Sequence, residues 1–172
     1  MKLTLTASLL SIVVAFPMAA TAHVDDLERG LLKSMTITID RDGNIIRNNK
    51  YSGAAIRSYK KLNFIKNTPD LRYDYTDNYL LRKPASLLGH DLKIIEEEYM
   101  GRYIGCCVSE GVGAVIRQQD SLSRLNSFAK KNRCSIERVN FDDYLRAFGI
   151  KNPNPPRGNY YSISCRDRDL AR

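Results

Sequence analysis

The first twenty-two residues constrain everything that follows them. Met1-Lys2 gives a charged start, and Leu3 to Phe16 an apolar run carried by Leu9, Leu10, Ile12, Val13 and Val14. Pro17 breaks any helix there, and Ala20-Thr21-Ala22 puts small residues at the two positions a signal peptidase reads. Charged start, apolar centre and small-x-small end make up the secretory pattern. The competing reading is a membrane anchor, which needs about 20 mostly apolar residues. This run is shorter, Thr4, Thr6, Ser8 and Ser11 interrupt it, and the acidic His23-Val24-Asp25-Asp26 follows. The expectation is a cleaved signal peptide over 1–22 and a single exported domain over 23–172, in the periplasm or outside the cell. After residue 22 no segment is apolar enough to span a bilayer, so no stable membrane insertion is expected once the peptide is gone.

Export decides how the cysteines are read. There are four, Cys106, Cys107, Cys134 and Cys165, and an even number in an oxidising compartment reads as two disulfides. Pairing Cys106 with Cys107 strains the geometry of adjacent residues. If the two lie in a strand they point to opposite faces, so one is expected to reach Cys134 and the other Cys165. The rival reading is one disulfide and two free thiols. Cleavage would leave 150 residues, the size of one ordinary domain. Only Lys2 is lost from the charge, so +8 falls to +7. A basic exported chain calls for an acidic partner, either another protein or an anionic envelope component. No recognition motif for nucleic acid is present.

Along the chain, strands dominate. Val24 to Lys33 suits a short helix with acids first and a base last. Met35 to Ile39 and Ile45-Ile46 flank Asp40-Arg41-Asp42-Gly43-Asn44, a hairpin signal. A calcium loop is excluded there: counted from Asp40, Gly43 is fourth where such a loop needs its glycine sixth, and Tyr51 is twelfth where it needs glutamate. Asn48 to Lys66 reads as loop or helix. Leu71, Tyr73 and Tyr75 alternate on one face of a strand, Asp77-Asn78 can turn it, and Tyr79 to Arg82 can return it. Leu88 to Tyr103 fits either a helix or two strands, Leu92–Tyr99 and Arg102–Val108; composition favours the strands. Ser109 to Gly113 reads as a turn before a strand from Ala114. Ser121 to Lys131 is an amphipathic helix, Cys134 to Val139 a strand, and Phe141 to Phe148 a helix capped by Asn140. A proline-rich loop and a last strand, Tyr160 to Cys165, close the chain. With helices few and late and no βαβ rhythm, the fold class is α+β: a mostly antiparallel sheet with two or three short helices, in a disulfide-stapled single domain.

The chemistry is sparse. There is no Gly-x-Ser-x-Gly elbow, no His-Glu-x-x-His helix and no phosphate-binding glycine loop, so neither a cofactor nor a catalytic residue is assigned. Three constellations merit weighing. His90 with Cys106 or Cys107 could form a thiol and base. Glu96 and Glu98, on one strand face with Leu92 and Ile94, could supply paired carboxylates for sugar hydrolysis; an acidic run is more often a solvated face. His90, Asp91 and Glu96 match no recurrent metal-ligand spacing. A fourth set, Arg72, Tyr73, Tyr75, Tyr79, Arg82 and Lys83, interleaves aromatics with bases and suits a binding surface. The expectation is therefore a non-enzymatic exported binding protein, of the inhibitor or immunity type that masks another protein. The alternative is a small secreted hydrolase or toxin, with His90, Glu96 and Glu98 as its catalytic candidates.

Overall fold

A computed structural model describes residues 19–47, 53–99 and 108–171. The described residues begin with α1 (Ala19–Met35), where Leu27, Leu31 and Met35 fall four apart and make a buried stripe. The hairpin β1 (Ile37–Ile39) and β2 (Ile45–Arg47) follows. Its turn is held by the Asp40 carboxylate, which accepts from the backbone N–H groups of Asp42 and Asn44 at 2.9 and 2.8 Å. Then come α2 (Ala54–Lys61), β3 (Leu71–Tyr73), β4 (Thr76–Leu80), β5 (Ser86–Leu87), β6 (His90–Glu98) and β7 (Gly111–Arg117). The chain continues through α3 (Ser123–Lys131), β8 (Ser135–Val139), α4 (Phe141–Ala147) and β9 (Tyr160–Arg166), and ends in a 3-10 turn, Asp167–Ala171.

The larger sheet runs β3-β4-β6-β7-β9-β8, with β5 pairing beside β6, and every neighbour in it is antiparallel. The α+β reading with a mostly antiparallel sheet therefore stands. The helices differ in number and place: four α-helices are described, and two of them precede the sheet.

The two faces of the sheet differ. On one, Tyr79, Leu92, Ile95, Val112, Ala114, Ile116 and Ile163 meet the apolar stripes of α1, α2 and α3. Glu28 of α1 fixes this packing, accepting from the Ser86 hydroxyl at 2.6 Å and from the Leu88 N–H at 2.7 Å. On the other face α4 covers only part of the sheet. Phe141 stacks on Tyr160 with ring centroids 4.3 Å apart, over Ile94 and Val115. Asn140 caps α4 through the Asp142 N–H at 3.1 Å, as its sequence demands.

Three local expectations are corrected. The β3–β4 turn lies at Asp74-Tyr75, because Tyr73 pairs with Thr76; Asp77 and Asn78 are buried strand residues. Strand β7 begins at Gly111, so Gly111 and Gly113 belong to the strand and not to a turn before it. The register of β6 shifts between Leu92 and Ile94. Leu92 joins the helix-side core while Ile94, Glu96 and Glu98 face the other way, so Leu92 does not share their face.

The disulfide pairing is also corrected. Cys134 bonds Cys165, closing a separation of 31 residues. Ser135 pairs with Ser164 across β8 and β9, which sets the next residues outward, Cys134 and Cys165, opposite each other. Neither therefore reaches Cys106 or Cys107, which lie outside the described residues. Within the chain those two can pair only with each other.

Candidate functional site

The uncovered half of the second face forms a cleft of about 580 Å³ between β3, β8, β9 and α4. Alternation along β9 builds its floor. Ile163 and Cys165 point to the helices, so Ser162, Ser164 and Arg166 point into the cleft. Gly113 lies opposite Glu96 on one side and Ser164 on the other. A Cβ on Gly113 would stand 2.6 Å from Glu96 Oε2 and 3.0 Å from an Arg166 terminal nitrogen. The absence of a side chain there is what lets the guanidinium lie across the sheet.

Arg166 is the hub. Its terminal nitrogens donate to the Ser164 hydroxyl and to Glu96 Oε2, both at 2.8 Å. Its Nε lies 3.0 Å from Glu98 Oε2. Glu98 is shared with Arg168 at 2.7 Å, and its other oxygen accepts from the Ser109 N–H at 2.9 Å. The C-terminal turn locks on through Asp169, which accepts from the hydroxyls of Ser135 and Ser164 and from the Arg166 N–H. Side-chain exposure is 4% for Arg166, 12% for Glu96 and 6% for Glu98, so this lattice is largely out of water.

Above the floor, Tyr144 and Phe148 of α4 face Leu71 and Tyr73 of β3. Burial, with the neighbouring Glu96 carboxylate, pushes the Tyr144 phenol up to about 12, so it is a neutral donor throughout the physiological range. Tyr73 stands at the rim, 72% exposed. Glu137 on β8 also lines the cleft and is exposed to solvent.

The structure disperses the other residues that the sequence singled out. His90 begins β6 and is 1% exposed; its Nδ1 accepts from the Gln119 N–H at 3.3 Å and its Nε2 has no partner among the described residues. Burial lowers its pKa. Asp91 is held by Arg117 and Lys93. Glu96 and Glu98 do share the cleft face. However, Glu98 has both oxygens engaged and Glu96 is tied to Arg166, an arrangement that does not favour a nucleophile or proton donor. Among the described residues no group of three His, Cys, Asp or Glu could hold a metal ion.

Arg72, Tyr73, Tyr75, Tyr79, Arg82 and Lys83 do not form one surface. Arg72 is bound to Asp77 and donates to the Tyr99 hydroxyl at 3.1 Å. Tyr79 is 1% exposed, in the helix-side core. Tyr75 is half-buried beside the β3–β4 turn, and Arg82 and Lys83 lie beyond the far end of β4. Only Tyr73 of the six reaches the cleft.

Sequence reasoning missed Glu137, Tyr144, Ser164, Arg166 and Asp169. The available signal was the polar alternation Ser162-Ser164-Arg166, which reads equally well as a solvent face. No helix among the described residues is long and apolar enough to cross a membrane. No family model matches the chain, and neither does any curated protein or solved structure.

Proposed function

We propose that the chain is an exported, non-enzymatic binding protein whose second sheet face receives a segment of another protein, in the manner of an inhibitor or immunity protein. The carrying observation is the cleft itself. Arg166 and Arg168 hold the Glu96 and Glu98 carboxylates in a fixed lattice, while Tyr73 stands exposed at a rim shared with Leu71, Tyr144 and Phe148. A preorganised polar floor with tyrosine anchors suits recognition, because tyrosines concentrate binding energy at interfaces and a rigid site loses little entropy on binding. Export rests on the N-terminal pattern and is supported by the Cys134–Cys165 disulfide, a bond that persists in oxidising compartments.

The test is capture from an envelope extract by the immobilised protein, run beside Tyr73→Ala and Glu137→Lys. Both substitutions are exposed, and circular dichroism checks their folding. The reading expects one specific partner, held about tenfold more weakly by each variant. Recovery of nothing at micromolar concentration, or equal recovery by all three proteins, would refute it.

A further inference from the structure

The opposite side of the molecule carries a concentrated positive charge that the cleft does not use. Residues 60–66 and 82–83 are tied together there. The Lys83 ammonium donates to the Leu62 carbonyl at 2.7 Å and lies 5.3 Å from the centre of the Phe64 ring. The Arg82 N–H donates to the Phe64 carbonyl at 2.8 Å. Lys60 reaches the Tyr79 hydroxyl at 3.0 Å, and Lys66 pairs with Asp70. Five cations, Lys60, Lys61, Lys66, Arg82 and Lys83, thus gather near the C-terminal end of α2; Asp70 pairs with Lys66, and Asp77 accepts from the Tyr79 hydroxyl that Lys60 reaches.

Part of this charge has an internal use. Lys83 satisfies a carbonyl at the end of α2, and Lys60 and Lys61 complement the negative end of the helix dipole. Arg82 and Lys61 are exposed, and their side chains make no hydrogen bond or ion pair among the described residues. Half-buried Leu62, whose carbonyl accepts from Lys83, follows Lys61 in the chain, and exposed Pro84 follows Lys83. The buried side of α2, Ala55, Ile56 and Tyr59, packs on the sheet face opposite the cleft.

We propose that this patch docks the protein on an anionic phospholipid surface, with the cleft facing away from the membrane and open to a partner. Charge complementarity selects the occupant. A cluster of exposed ammonium and guanidinium groups on Lys61, Lys66, Arg82 and Lys83, with Leu62 and Pro84 next to them in the chain, matches a layer of phosphodiester headgroups. Each such cation near a charged leaflet contributes about 1 kcal/mol, a factor of about five in partitioning. The patch is independent of what the cleft binds.

The experiment is co-sedimentation of the full chain with phosphatidylcholine vesicles, with and without phosphatidylglycerol. The apolar N-terminal run is common to every variant, so binding to neutral vesicles reads that run and the gain on adding phosphatidylglycerol reads the patch. The proposal expects a clear gain that falls as salt rises. It expects Lys61→Ala/Arg82→Ala to reduce that gain by roughly 25-fold. Arg146→Ala/Arg157→Ala, which removes the same charge from the opposite side, should change it less than twofold. Equal loss in both double variants would mean net charge alone is read and would overturn the proposal. So would the absence of any gain, or its full reversal by millimolar glycerol phosphate, which would make the ligand a free phosphate.

Discussion

Replacing Arg166 by methionine is the substitution whose cost can be worked out most directly from the structure. The side chain is 4% exposed and serves two carboxylates that are themselves 12% and 6% exposed. Methionine preserves much of the volume but removes both ion pairs and the hydrogen bond to Ser164. Glu98 keeps Arg168 and the Ser109 N–H, so the main cost falls on Glu96, left charged and buried without a cation. Breaking a buried pair from one side costs about 3–5 kcal/mol. For a domain of this size that lowers Tm by roughly 6–20 °C. The assay is urea unfolding followed by far-ultraviolet circular dichroism. The chain has no tryptophan to report by fluorescence, and urea leaves ion pairs unscreened. Glu96→Gln removes the stranded charge, so the double variant should be less unstable than the two single losses summed, by at least about 1 kcal/mol. A loss under about 1 kcal/mol for Arg166→Met, or strict additivity in the cycle, would refute the lattice as the support of the cleft floor.

Four further outcomes follow from the same geometry. Gly111→Ala should destabilise by more than about 3 kcal/mol, because Gly111 has φ +147° and a Cβ there would collide with the Cys165 carbonyl oxygen and the Arg166 Cα. Gly113→Ala, which meets side-chain ends, should cost about 1–3 kcal/mol in the same urea assay. Cys134→Ser/Cys165→Ser should lose about 3–4 kcal/mol, and peptide mapping without reductant should recover Cys134 joined to Cys165; a bridge from either to Cys106 or Cys107 contradicts the fold. His90 is neutral in the fold, its Nδ1 accepting from Gln119, and burial holds its pKa below the ordinary 6.5. The unfolded chain therefore takes up the proton first as pH falls. Stability from this group is complete above about pH 6.5 and is lost on descending toward the folded pKa, at no more than about 1.4 kcal/mol per pH unit. His90→Gln should flatten that slope between pH 6.5 and the folded value, and an unchanged slope would rule out His90 as its source.

The sequence made some elements plain and hid others for identifiable reasons. Local chemistry determines α4, where Asn140 has one N–H to cap, and the β1–β2 hairpin, where Asp40 organises the turn; both were legible. Asp77-Asn78 has turn chemistry, yet Arg72 and Tyr99 give Asp77 a polar setting inside the sheet, and the turn falls three residues earlier. Gly111 and Gly113 resemble a turn because glycine usually marks one. Here they serve a close backbone approach and the space occupied by Arg166, a residue more than fifty positions away. The register shift after Leu92 breaks the two-residue alternation, so Leu92 turns to the helices while Ile94, Glu96 and Glu98 keep one face. The disulfide depends on strand order, in which β8 takes the edge beside β9, and that order is not written in either strand alone. The cleft shares that difficulty, since its walls come from β3, β8, β9 and α4, and from the sequence alone each reads as a solvated polar face.

The reading of the cleft as the binding site is tested most directly by amide hydrogen exchange on the complex with the captured partner. The account predicts new protection in β3, β8 and α4, centred on Tyr73, Glu137 and Tyr144, with α1, α2 and α3 exchanging as in the free protein. Protection confined to those three helices, with the cleft walls unaltered, would contradict it.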